Sequence, residues 1–559
     1  MNRNILKRNS LRMLAAAAIL VVGFGALLWG KRNDFGLGRN IEIAVNMMRE
    51  LSLYYVDEVD PDRLMEGAAE GMVSDLDPYT EYMPEERMSS FELLTTGKYG
   101  GVGALIRQKG DYVIIAQPYK DSPADRAGLK IGDRIVAIDG EDARGFTTDK
   151  VSARLKGAPG STVRVTVERL LDGRREEVTL RRERIAIPAV PYAGWLNDSI
   201  GYIQHSDFTD GCYEEVRAAV ERLRAEGNLR GLVLDYRGNG GGIMQEAVKI
   251  LSMFVPKGTE VVATHGRTEQ KSYRTQSEPI LAELPLAVLV NGNTASAAEI
   301  VSGALQDLDR AVLIGQKSFG KGLVQSTRPL GYNAYLKLTT AKYYIPSGRC
   351  IQAIDYSSRK QDGTVGKVAD SLVREFTTRG GRKVYDGGGI SPDIATEPQY
   401  ISRFAVTLLA MGFIEDFVDE YMQEHHTDTI DNRTFSITDA DYDAFVKFME
   451  GKEVPYESET RRVLKVLKEA AENDLYSDLA QEITAIEGDL KDDTQTNLHT
   501  YRKEIAETIN NDIVLRHSYQ AGVIEHNLGD DTEVLRATEV LENPTEYQEI
   551  TTMQTSEKK

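Results

Sequence analysis

Apolar residues recur at helical spacing early in the chain, alternate or run unbroken through its middle, and return to helical spacing towards its end. Ile41, Val45, Met48, Leu51 and Tyr55 share one helical face, and Leu64, Ala68 and Met72 form a second set, so residues 36–97 are expected to be helical. Asp77-Pro78-Tyr79 marks a turn within them. Over residues 98–184 the period shortens to that of strands, at Ala104–Ile106, Tyr112–Ile115, Thr162–Glu168 and Glu177–Leu180. A helix carrying Val151 and Leu155 interrupts them. Residues 185–395 alternate strands and helices: strand Gly201–Ile203, helix Glu214–Ala225, strand Gly231–Leu234, helix Met244–Met253, strand Leu286–Val290, helix Glu299–Leu308 and strands Ala311–Gly315 and Tyr335–Tyr344. The pattern predicts a multidomain α/β protein. Residues 396–540 read as an acidic helical region, with Arg461–Ala470 and Tyr501–Arg516 amphipathic, and residues 541–559 as a disordered tail.

The N-terminus adds a compartment. A basic segment, residues 1–12 with Arg3, Lys7, Arg8 and Arg12, precedes the apolar run Met13–Trp29, and Lys31 and Arg32 follow it. Such a run is just long enough to span a bilayer, so residues 13–30 are expected to be a transmembrane anchor. The basic flank would stay cytoplasmic, leaving the rest of the chain on the far side of the membrane. A cleaved signal peptide is the alternative, but no small-residue cleavage motif follows the run.

The 559 residues allow three or four domains. A net charge of -19 argues against a nucleic-acid-binding surface. From Ile401 onward there are 15 Lys and Arg against 35 Asp and Glu, so the first 400 residues are close to neutral. Cys212 and Cys350 make no zinc pattern and are expected to be ordinary thiols. No metal or cofactor is implied, and oligomerisation stays open.

Candidate chemistry sits in the α/β region. Strand Leu286–Val290 leads through Asn291-Gly-Asn-Thr into Ser296 at a predicted helix start, a placement that exposes a hydroxyl and aims amide groups at it. Ser296-x-x-Glu299 is also a capping box, the structural reading of the same residues. Lys321, 25 residues on in Phe319-Gly-Lys-Gly322, changes the weighting. An amine serves as a base only when neutral, and bringing a lysine from about 10.4 to about 7–8 costs roughly 3–4 kcal/mol, within reach of burial. The bland alternative is a surface lysine in a glycine turn. Arg237-Gly-Asn-Gly-Gly-Gly242 can offer backbone amides to an oxyanion, together with the amide of Ala297. His205 and His265, the histidines of the α/β region, neighbour no nucleophile motif, and no His-Glu-x-x-His occurs.

Two resemblances follow from these motifs. Gly100-Gly-Val-Gly103, Asp121-Ser-Pro-Ala-Asp-Arg-Ala-Gly-Leu129 and Gly132-Asp-Arg-Ile135 occur in the order of a PDZ domain. That likeness implies a groove at residues 98–184 in which Gly100, Gly101, Val102 and Gly103 receive a peptide's free C-terminus, while the peptide adds a strand. Asp235-Tyr-Arg-Gly-Asn-Gly-Gly-Gly242, Val288–Ile300, Phe319-Gly-Lys-Gly-Leu-Val-Gln325 and Gly387–Asp393 resemble the carboxy-terminal processing peptidases, or tail-specific proteases. This implies a ClpP/crotonase-like protease core at residues 185–395, with the PDZ domain inserted before it. It also implies Ser296 as nucleophile, Lys321 as general base and Gln325 as the group that positions the lysine. Gly241 and Ala297 would be oxyanion donors, with Gly242 as substitute. Ala298, Gly240 and Cys350 depart from the family pattern without removing a catalytic role. The partners implied are proteins or peptides with free C-termini, and the alternative is an inactive PDZ-bearing scaffold.

Overall fold

A computed structural model describes residues 36–359, 365–368, 370–473, 477–490 and 493–552. The expected anchor at 13–30 and the basic segment before it lie outside the described residues. Among the described residues, no helix is long and apolar enough to cross a membrane.

Residues 1–85 and 327–338 form one compact unit. Its described part holds a helix over residues 36–54 and the helix Pro61–Val73. The Asp77 carboxylate accepts from the N–H groups of Tyr79 and Thr80, which makes the anticipated turn. The strand Glu81–Met83 follows, a strand the helical reading of 36–97 did not foresee. It pairs antiparallel with residues 335–337, and Lys337 Nζ meets Glu81 Oε1 at 2.8 Å. Ile41, Val45 and Tyr55 of the first helical face are exposed.

The second unit, residues 86–326 and 339–559, carries the rest. Residues 98–186 make a small β domain around an antiparallel sheet. In it Ala104–Lys109 is an edge strand, followed by Tyr112–Pro118, Arg134–Ile138, Thr162–Glu168 and Arg175–Arg181. The helix Thr148–Leu155 buries Val151 and Leu155 against Val102, Ile135 and Val165.

The α/β core is a six-stranded sheet in sequential order: β1 (Tyr192–Trp195), β2 (Ile200–Gln204), β3 (Gly231–Asp235), β4 (Leu286–Val290), β5 (Val312–Gly315) and β6 (Ile394–Ala395). β1 is antiparallel to β2, and the remaining pairs are parallel. Helices α1 (Cys212–Glu226), α2 (Met244–Leu251) and α3 (Ala297–Asp307) cover one face, on Leu232, Leu234, Leu286, Val288 and Val290. Val233, Ala287, Leu289, Val312 and Ile314 point to the other. Both faces are buried, which is why these strands read as continuous apolar runs rather than alternating ones.

The second face is covered from the far end of the chain. Among the C-terminal helices are α4 (Phe413–His425), α5 (Arg502–Asn527), α6 (Thr532–Glu542) and α7 (Pro544–Thr551). Val534, Ala537, Val540 and Leu541 of α6 pack on the sheet. The Tyr547 hydroxyl of α7 bonds the Arg310 carbonyl at 3.1 Å and accepts from the Leu286 N–H at 3.1 Å. The expectation of a disordered tail from residue 541 therefore fails through Thr551: low local hydrophobicity concealed a helix whose few apolar side chains meet a ready-made apolar face. Residues 553–559 lie outside the described residues. Both cysteines are free thiols.

Candidate active site

The C-terminal ends of parallel strands are where α/β sheets place their chemistry, and three loops converge there. β4 ends at Val290, and Asn291–Ala295 turns the chain into α3. Ser296 is the residue before that helix, with φ +55° and ψ -116°. A non-glycine residue held at positive φ costs on the order of 1–3 kcal/mol and persists only where its surroundings impose it. Here it lifts a half-buried serine out of the helix, as a nucleophile on a strained strand-to-helix turn requires.

Glu299 ties this turn to the lysine loop. Its side chain is fully buried at the third position of α3 and accepts four hydrogen bonds. Oε2 takes the N–H of Ser296 at 2.8 Å and of Lys321 at 2.9 Å; Oε1 takes the Ser318 hydroxyl at 2.5 Å and the N–H of Gly320 at 2.7 Å. Burial raises the carboxyl, and the hydrogen bonds from Ser318, Lys321, Gly320 and Ser296 oppose that rise. Tyr343 makes a second tie, with its buried hydroxyl 2.5 Å from the Lys321 carbonyl and 3.1 Å from that of Ser296. The backbones of two residues 25 positions apart thus share two polar partners. The sequence reading saw Glu299 only as half of a capping box and missed Tyr343. The available signal was a lone carboxylate among the apolar residues Ala297, Ala298, Ile300 and Val301.

The third loop leaves β3. Thr294 Oγ1 donates to the Tyr236 carbonyl at 2.8 Å, Ala295 N–H to the Asn239 carbonyl at 2.9 Å, and Gly238 N–H to Asn291 Oδ1 at 3.1 Å. Gly241 has φ +90°, and a Cβ there would stand 2.7 Å from the Ala297 nitrogen and from Ser296 Cβ. Only glycine fits so close to the serine. The Gly241 N–H, however, donates to Asn239 Oδ1 at 2.8 Å, so that amide is directed at a side chain rather than at the space beside Ser296. Ala297 begins α3, where an N–H has no acceptor within its own helix.

The remaining candidates fall as follows. Gln325 lies just past the lysine loop and donates from Nε2 to Thr339 Oγ1 at 3.3 Å. His205 is buried against the rings of Phe208 and Tyr236. Burial lowers its pKa to about 4. The His265 ring packs on Tyr344. In the glycine loop of the β domain, Gly100 and Gly101 pair with Arg184 and Glu183. The carbonyls of Gly100, Val102 and Gly103 accept from Gly157, Ala124 and Tyr119.

Four stretches of the chain match known protein families. Residues 199–358 match peptidase family S41, 114–169 a PDZ domain, 39–87 the activating protease CtpB N-terminal domain, and 404–541 the C-terminal helical domain described for a probable PDZ-protease. The chain is 37% identical to a carboxy-terminal-processing protease of Bartonella bacilliformis over 305 residues, 54% of this chain and 70% of that one. It is 33% identical to the carboxy-terminal processing protease CtpA of Bacillus subtilis over 60% of this chain and 72% of the relative. Among solved structures, a photosystem II D1 C-terminal processing protease aligns at 26% identity and a TM-score of 0.33, covering 64% of this chain and 87% of that one.

Proposed function

The chain belongs to the S41 carboxy-terminal processing proteases and is a serine-type endopeptidase with a PDZ domain; from that premise we propose that it cleaves with a Ser296–Lys321 dyad. The observation that carries this reading is the shared anchoring of the two backbones by Glu299 and Tyr343. The Lys321 amine takes the proton of Ser296 Oγ as that oxygen attacks the scissile carbonyl. The oxyanion accepts from the Ala297 N–H and from the glycine loop, through Gly242 or through Gly241 once it releases Asn239. Lys321 then passes its proton to the leaving amine. Water hydrolyses the acyl-enzyme by the same proton path in reverse. Gln325 helps to hold the lysine.

The PDZ loop holds the substrate. A C-terminal carboxylate would be received at the loop Gly100–Gly103, and the edge strand Ala104–Lys109 accepts the peptide as an added strand. Residues 13–30 anchor the enzyme in the inner membrane with the catalytic part in the periplasm, a reading supported by the basic flank and apolar run of the sequence.

Detergent-purified full-length chain, incubated with a protein ending in a free apolar C-terminus, tests the proposal. Ser296→Ala and Lys321→Ala are each expected to lose at least a thousandfold in kcat while still binding the substrate. Cleavage by Ser296→Ala at the wild-type rate refutes the dyad, and equally poor cleavage by both proteins favours the scaffold.

A further inference from the structure

The C-terminal helical region reaches the proposed catalytic loops through Asp531 and Glu533. Glu533 is the second residue of α6, outside the peptidase-family match, and its side chain is only 10% exposed. Oε2 accepts from Arg237 Nη1 at 2.7 Å. Oε1 accepts from Thr396 Oγ1 at 2.7 Å and from Gln316 Nε2. These partners sit at the exits of three neighbouring strands. Arg237 follows β3 and opens the loop that contains Gly241. Gln316 follows β5, donates its N–H to Val290 at the end of β4 at 3.0 Å, and opens the loop that carries Lys321. Thr396 follows β6.

Arg237 does not depend on Glu533 for charge balance. Its guanidinium also grips Asp235, with Nη2 2.6 Å from Oδ2, and Nη1 meets Asp531 Oδ2 at 2.8 Å. Among the described residues, the acceptors of the Gln316 side-chain N–H groups are Thr396 and Glu533. What Glu533 adds is registration: one carboxylate at a helix start bonds both the loop that carries Gly241 and the loop that carries Lys321. The Asp531 side chain holds that start in place by accepting from the N–H groups of Glu533 and Val534, each at 3.0 Å.

We infer that Glu533 is a positioning residue for the peptidase reaction, by which the C-terminal helical region sets the relative placement of the serine, lysine and oxyanion loops. The inference rests on the Ser296–Lys321 reading above. A carboxylate that only stabilised the fold would change thermal stability and leave kcat alone. A registering carboxylate changes kcat, and the rate at which a fluorophosphonate labels Ser296, without changing KM for a substrate held by the PDZ domain.

The test uses the full chain. Glu533→Ala is expected to lower kcat and the fluorophosphonate labelling rate tenfold or more with KM within twofold of wild type. Glu533→Gln keeps an oxygen towards Arg237 and presents an N–H that Gln316, with its side-chain amide turned over, accepts on Oε1, so it is expected to recover most of the rate. Gln316→Ala cuts the same contact from the other side and is expected to reproduce the kcat loss, which decides the matter if Glu533→Ala does not fold. Wild-type kcat and labelling in folded Glu533→Ala, or in Gln316→Ala where the former does not fold, overturns the inference. Ser296→Ala in the same assay separates the two failures. If it is inert while Glu533→Ala is fully active, only the role of Glu533 falls; if it is active, the dyad falls first.

Discussion

The C-terminal helical region holds two neighbours by different physics. On the α/β sheet, α6 lays Val534, Ala537, Val540 and Leu541 against Val233, Leu289 and Ile314, an apolar seam with no water to compete for it. On the PDZ domain its grip is charged. Arg107 pairs with Glu415, and Lys109 meets Glu415 at 3.2 Å, Asp416 at 2.8 Å and Asp419 at 2.7 Å. The Tyr519 hydroxyl donates to Asp125 Oδ1 at 2.9 Å. Arg516 backs the cluster, 2.6 Å from Asp419 and 3.5 Å from Asp512. A cleft of about 690 Å³ remains beside these contacts, lined by Arg107, Gln117, Gln204, Arg237 and Arg516 among others. An apolar seam belongs to the fold itself, whereas the outer ion pairs, with the Arg107 and Lys109 side chains 42% and 29% exposed, contribute less each and weaken in salt. The core is thus sealed by this region, and the substrate-binding domain is only latched to it.

The largest expected effect comes from breaking the seam. Val534→Asp buries an unpaired charge against the sheet and is expected to cost about 4 kcal/mol or more, read as loss of the cooperative thermal transition of the α/β core. Next in size is the pH response of the core. His205 is buried neutral, with its pKa lowered by burial from 6.5 to about 4. The unfolded chain takes up a proton below pH 6.5 that the folded chain refuses until about pH 4. The stability this group contributes is therefore complete above pH 6.5 and falls by about 1.4 kcal/mol per pH unit between those values. Chemical denaturation of His205→Phe across this window is expected to show a shallower acid dependence than wild type.

The smallest effect on stability belongs to the latch. Arg107→Ala with Lys109→Ala is expected to change unfolding free energy by about 2 kcal/mol, the size of the Lys109 shift at about 1.4 kcal/mol per pH unit. Yet it should open the contact between PDZ domain and helices to limited proteolysis, as 0.5 M salt should in the wild type, taking about that concentration as enough to screen such pairs. Burial alone would lower the Lys109 amine, but its hydrogen bonds to Asp416 and Asp419 and the charges of Asp419 and Glu415 outweigh that and hold it up at about 12. With the folded value above the ordinary 10.5, the contribution is complete below pH 10.5 and is lost only as pH rises through 12. At neutral pH, salt is the lever that separates latch from seam, and a latch that ignores salt breaks the comparison.

Local pattern revealed much of this molecule. The strands of the α/β core and of the PDZ domain were legible because a buried parallel strand must be apolar throughout and a half-buried antiparallel one must alternate. The glycine loops and the Ser296 and Lys321 segments were legible because close backbone approach leaves few residue types that fit. The strand Glu81–Met83 escaped, since its partner lies about 250 residues away and three residues carry no period. Helix α7 escaped because its apolar content is too sparse to signal burial without the sheet beneath it.

The candidate site divides along the same line. The chain by itself nominated the residues proposed to carry chemistry, because a serine at a strand-to-helix turn and a lysine between glycines are local statements. Only the tertiary structure decided what holds them: Glu299 and Tyr343 joining the two backbones, Asn239 occupying the Gly241 amide, and Glu533 reaching Arg237 across 296 residues of sequence. A carboxylate on an acidic helix reads as solvated until folding removes the water around it. It then must find partners, and the loops that supply them are fixed by that need.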